Sequence, residues 1–94
     1  MRDIPRVADA APSDPAALTP YDYQHRITYL RMLDANAEGA DWRDVTKIVL
    51  RIDAEQEPTR ARQAFETHLA RVIWMTEYGY RLLLMKGWPM APRA

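Results

Sequence analysis

From Thr19 onward, apolar positions recur with a helical period. Tyr23, Ile27, Leu30, Leu33 and Ala37 fall three or four residues apart, which predicts one amphipathic helix from Pro20 to Glu38. Thr19 supplies an N-capping hydroxyl, Pro20 fits the first helical position, and Asp22 meets the free N–H groups of the first turn. Gly39 offers the left-handed conformation that ends a helix. A second helix is predicted after Asp41, with Asp44 answering it as a capping box and Trp42, Val45, Ile48, Val49 and Ile52 as its apolar side, ending near Arg51. The segment IDAEQE (52–57) loses the period. Pro58 then sets the first turn of a third helix running to about Glu77, with Ala61, Phe65, Leu69, Val72 and Met75 on one stripe. Gly79 is expected to stop that helix, Tyr80 to Lys86 to add a further turn or two, and Gly87 and Pro89 to end it. Val-rich TKIVLRI could pass as a strand, but it has no second strand to pair with.

These elements predict an all-α fold: a three-helix helix-turn-helix variant with an extended turn, plus a short C-terminal helix. Ordinary turns in that motif take about 3 to 4 residues, so the 52–57 connection is long. Residues 1–18, with Pro5, Pro12 and Pro15 and no period, are expected to form a disordered arm; 19–88 the domain; and 89–94 a flexible tail.

The chain has 94 residues, 13 basic and 13 acidic, so no global field draws it onto a polyanion. There is no cysteine, which removes disulfides, thiolate catalysis and Cys-based zinc sites. The first residues mix charges and prolines where a secretory leader needs an apolar core, and no apolar run approaches the roughly 20 residues of a membrane span. A cytoplasmic location without membrane contact is expected.

Chemistry-bearing residues are sparse. His25 and His68 lie on separate helices without metal-ligand spacing, the three glycines do not cluster into a phosphate loop, and Ser13, the single serine, lies in the arm. No catalysis, metal or cofactor is expected. His68 beside the apolar stripe reads as a buried, hydrogen-bonded residue.

Charge placement is more informative. At 100° per residue, the side of helix three opposite Phe65 and Val72 holds Gln63, Thr67, Ala70 and Trp74, none of them charged, with Arg60 and Arg71 on one flank and Glu66 and Glu77 on the other. From Asp34 to Glu57, seven carboxylates stand against three cations. Phosphate neutralisation supplies most non-specific DNA affinity, so Asp53, Glu55, Glu57 and Glu66 form an acidic face opposing a duplex. Asp41 and Asp44 are better read as helix caps. A small DNA-binding repressor stays open as the alternative, with Arg60, Gln63, Thr67 and Arg71 as its contacts.

On the predicted first helix, Tyr29 and Met32 lie away from the Tyr23, Ile27, Leu30 stripe, together with His25 and Asn36. With Leu84, Met85 and Trp88 from the C-terminal helix, they are candidates for an exposed protein-docking surface.

The stretches LRMLDANAEGADWRDVTKIVL and RARQAFETHLARVIWMTEYGYRLLL resemble a proteobacterial domain family of conjugative-element regulators, whose pattern reads LRALDARLAGASYREIA and an arginine-rich helix plus GGYRDLL. Leu30, Leu33, Asp34, Gly39, Trp42, Arg43, Asp44 and Val45 fall on the first part, and Gly79, Tyr80, Arg81, Leu82 and Leu83 on the second. The resemblance implies an extended-turn helix-turn-helix. In the family's activators this domain follows a separate N-terminal domain, binding DNA through a basic face and touching that N-terminal domain with the opposite side. A stand-alone copy with IDAEQE and Glu66 where activators are more basic is similar to antiactivators of the QseM type. That similarity implies a free monomer that occupies a transcriptional activator's N-terminal domain, without binding DNA, and so keeps excision and transfer genes off.

Overall fold

A computed structural model describes residues 5–88, which contain helices and connecting segments and no strand. The all-α class follows directly. Helix α1 spans Pro20–Gln24, α2 Arg26–Ala37 and α3 Trp42–Val45; a π-helical turn, Thr46–Leu50, extends α3. After the 51–57 connection, α4 runs Pro58–Trp74, a second π-helical turn covers Met75–Gly79, and α5 spans Tyr80–Lys86.

Thr19 caps α1 as expected: its hydroxyl accepts the Asp22 N–H, and Asp22 Oδ2 accepts the Thr19 N–H at 2.8 Å. The expected single first helix is interrupted at His25, whose φ of −104° and ψ of 21° bend the chain between α1 and α2. Asp41 caps α3 through Arg43 N–H at 2.9 Å. Its π extension closes on Arg51, a non-glycine residue at φ 61°. Ile52 N–H reaches back to the Thr46 carbonyl, which drops Ile52 into the core. Ile48, expected on the apolar side, is instead 72% exposed, because the wider π turn shifts the phase of the face.

Gly79 does not stop the third helix. It sits at φ −60° inside a run that is helical from Pro58 to Lys86, and it is buried. A Cβ there would come within 2.7 Å of the Trp74 ring and 2.8 Å of the Met75 sulfur, so glycine serves close packing inside the π turn rather than termination. At about 1.5 Å per residue the α4–α5 run accounts for most of the molecule's 46 Å length.

The core joins Tyr29 and Met32 of α2, Val45, Leu50 and Ile52 around the α3 extension, and Ala61, Ala64 and Val72 of α4. Ala61 and Ala64 have no exposure, and their small size lets α2 and α3 approach the α4 backbone. The buried face of α4 is therefore Ala61, Ala64, His68, Arg71 and Val72, with Phe65, Leu69 and Met75 at its edge. Residues 5–18, expected to stand off as a mobile arm, lie across α4: Val7 packs on the core, and Ala11 N–H donates to Thr67 Oγ1 at 3.1 Å. The expected tail, 89–94, lies outside the described residues.

Candidate functional site

Three regions compete for function: a buried polar cluster, the outward face of α4, and an apolar groove.

The polar cluster forms where α1, α2 and α4 meet. Asp22, His25, Tyr29 and Met32 are spaced to share one helical face, and that face is buried. Asp22 Oδ1 accepts from the Tyr29 hydroxyl at 2.8 Å and Arg71 Nε at 2.9 Å; Oδ2 accepts from Arg71 Nη2 at 2.6 Å. Burial alone would raise the Asp22 carboxyl, but the Arg71 fork, the Tyr29 hydroxyl and the Thr19 amide together hold it below the usual carboxylate range. Burial raises the Tyr29 phenol, and the Asp22 carboxylate adds to this.

His68 Nδ1 donates to the Ala64 carbonyl at 2.7 Å, since a carbonyl can only accept. In the neutral ring that burial favours, Nε2 accepts from the Tyr21 hydroxyl at 2.6 Å, and Tyr21 in turn accepts from Ala8 N–H at 2.9 Å. This chain of bonds needs a neutral imidazole. Burial lowers the His68 pKa, opposed by the Ala64 carbonyl. His25 is lowered first by burial and then by its proximity to His68, opposed by Asp22, and its Nδ1 has no hydrogen-bond partner. His68 has no solvent exposure.

This burial corrects the first interface expectation. His25, Tyr29 and Met32 are 2%, 4% and 1% exposed and belong to the interior. Asn36 is exposed near the end of α2, away from the groove. The opposite stripe, assigned to the core from its period, is the open one: Ile27 is 47% and Leu30 59% exposed. The two stripes are equally helical in spacing. What decides between them is Arg71, 49 residues from Asp22, which makes the polar stripe buriable.

The outward face of α4 is not a free reading surface. Arg71 is buried, which removes it from the candidate DNA contacts. Its Nη groups also donate to the Asp14 and Ala17 carbonyls of the covering segment, and its guanidinium stacks 3.9 Å from the Trp74 ring. Arg60 is held by Asp9 at 2.6 Å and Glu57 at 3.0 Å, while Arg62 lies 3.4 Å from Glu66. Thr67 is occupied by Ala11 and by the Gln63 carbonyl, and Trp74 Nε1 donates to the Pro15 carbonyl. Gln63 stays exposed. Asp53, Glu55 and Glu57 are exposed in the 52–57 turn, where Asp53 Oδ1 accepts Glu55 N–H at 2.8 Å.

The groove lies between α2 and the α4–α5 run, with a volume of about 660 Å³. Ile27, Leu30, Leu33, Met75, Tyr80 and Leu83 line it, and Trp88 closes one end edge-on to Tyr23, ring centres 5.5 Å apart. Leu84 and Met85, 68% and 76% exposed, continue the apolar surface along α5. The first and C-terminal helices do present exposed apolar side chains, as expected, but α2 contributes the other face. Helical spacing had identified Ile27 and Leu30 as apolar; nothing local showed that they face outward.

No family model matches the chain, and no curated protein matches it either. Among the described residues, no helix is long and apolar enough to cross a membrane.

Proposed function

We propose that this chain is a non-catalytic protein-binding regulator of the antiactivator kind. It occupies the N-terminal domain of a transcriptional activator in place of that activator's own helix-turn-helix domain. The observation that carries the reading is the state of the α4 arginines: Arg60, Arg62 and Arg71 are each committed to a carboxylate of the same chain. A duplex presents roughly one negative charge per 1.7 Å of axis, and a helix whose cations are already neutralised, flanked by Asp53, Glu55 and Glu57, gains little from approaching it. The apolar surface along α2 and α5 provides the docking side. The resemblance to conjugative-element regulators supplies the activator as partner and repression of excision and transfer genes as the outcome, in a cytoplasmic setting.

A gel-shift titration at low salt against the promoter region of the regulated genes tests it. The expected result is no sequence-specific retardation by the chain alone, and loss of the activator's own shift when the chain is added. Specific retardation by the isolated chain at sub-micromolar concentration would establish a small DNA-binding repressor instead.

A further inference from the structure

The groove between α2 and α5 is chemically unbalanced. Its walls are apolar, and one charge, Arg26, stands among them. The Arg26 guanidinium lies 4.2 Å from the centre of the Tyr23 ring and donates one N–H to the Tyr23 carbonyl at 2.8 Å. Among the described residues no carboxylate pairs with it. A guanidinium has five donors in a planar fork suited to a carboxylate, so most of this one's capacity is unused at the edge of an apolar trough.

The shape narrows the occupant further. α2 packs on α4, and α5 continues past that contact, leaving a gap flanked by two helices. A third helix, about 10 Å across, packs into such a gap by setting its apolar ridge between theirs. A second copy of this chain fits worse: a twofold pairing through the groove sets concave against concave and brings two Arg26 side chains together, with no lining carboxylate to balance them.

We propose that the groove takes one amphipathic helix of another protein, apolar at i, i+3 or i+4 and i+7, with a carboxylate that pairs with Arg26. The inference rests on the protein-binding reading above and specifies the chemistry of the partner. The test uses the full chain and three labelled peptides of about 15 residues, each with the same leucine stripe and with Glu, Gln or Lys at the flanking position. Anisotropy titration is expected to show the Glu peptide binding at least about tenfold more tightly than the Lys peptide. Arg26→Glu should reverse that order, and Leu30→Asp should abolish binding of all three, with helical circular dichroism retained in both variants. Absence of Glu-peptide binding, indifference to Arg26→Glu, or a dimer in sedimentation that Leu30→Asp dissociates would each overturn the proposal. The activator's N-terminal domain, titrated in parallel, separates the two claims. If it binds the chain irrespective of Leu30→Asp, the regulatory reading stands and the groove assignment fails; if the peptide binds but the chain shifts promoter DNA specifically, the groove stands and the regulatory reading fails.

Discussion

Asp22 has no solvent exposure, and both its oxygens are saturated by groups from three different segments: the Thr19 amide, the Tyr29 hydroxyl and the Arg71 fork. Removing one partner of a buried pair strands the other, which typically costs about 3 to 5 kcal/mol. Asp22→Ala should therefore lose about that amount, a large share of the roughly 5 to 15 kcal/mol that holds a domain folded. The double variant Asp22→Leu, Arg71→Met should recover part of that loss, because no charge is left buried alone. Urea unfolding of the single and double variants measures the coupling, and additive losses would contradict the role given to the pair. From sequence, Asp22 reads as a helix cap and Arg71 as a surface cation. The cap is present, but the ion pair depends on a tertiary approach that no local pattern encodes, so the buried face of the first helix was not legible.

At the scale of elements, local signals carried well where backbone chemistry decides. Thr19 and Asp41 cap where expected, Pro58 opens α4, and the 52–57 segment forms the extended turn. They failed at Gly79, because a glycine that terminates a helix and one that admits a neighbouring ring look alike in one dimension. Gly79→Ala discriminates these roles. If Gly79 were only a weak helix former, alanine would stabilise by up to about 1 kcal/mol. With Trp74 pinned by Pro15 and Arg71, the added methyl instead overpacks the π turn, and we expect a net loss of about 1 to 2 kcal/mol. Thermal unfolding followed by circular dichroism reads the sign. Arg51, at φ 61°, is the complementary case: Arg51→Gly should be tolerated, and Arg51→Val should destabilise by about 1 kcal/mol or more, since a β-branched residue resists the left-handed region.

For the whole molecule, the all-α class was readable, while the face that the first helix turns toward the apolar surface and the seating of residues 5–18 on α4 were not. That segment has no period and, apart from Val7 and Asp9, is tied down through backbone groups, which composition does not reveal. Its attachment through Tyr21 and His68 makes stability depend on pH. Both histidines are lowered in the folded state, so the unfolded chain takes up their protons first, near its ordinary value of about 6.5. Stability should be full above that value, decline as the pH falls below it, and stop declining on this account once the folded-state values are passed. Asp22, also lowered, adds a further loss below about pH 4. Melting temperatures measured between about pH 7 and pH 5 should fall, and His68→Gln should flatten the slope. A slope unchanged in that variant would place the titration elsewhere.

The single guanidinium of Arg71 also has a kinetic consequence. It joins Asp22 and Asp14, 49 and 57 residues away along the chain, whereas α2 and α4 can each wind on neighbouring residues alone. Closing so large a loop is the slow event in a small helical protein, so the helices should nucleate early, and the amino-terminal segment should dock only after Asp22 has found its distant partner.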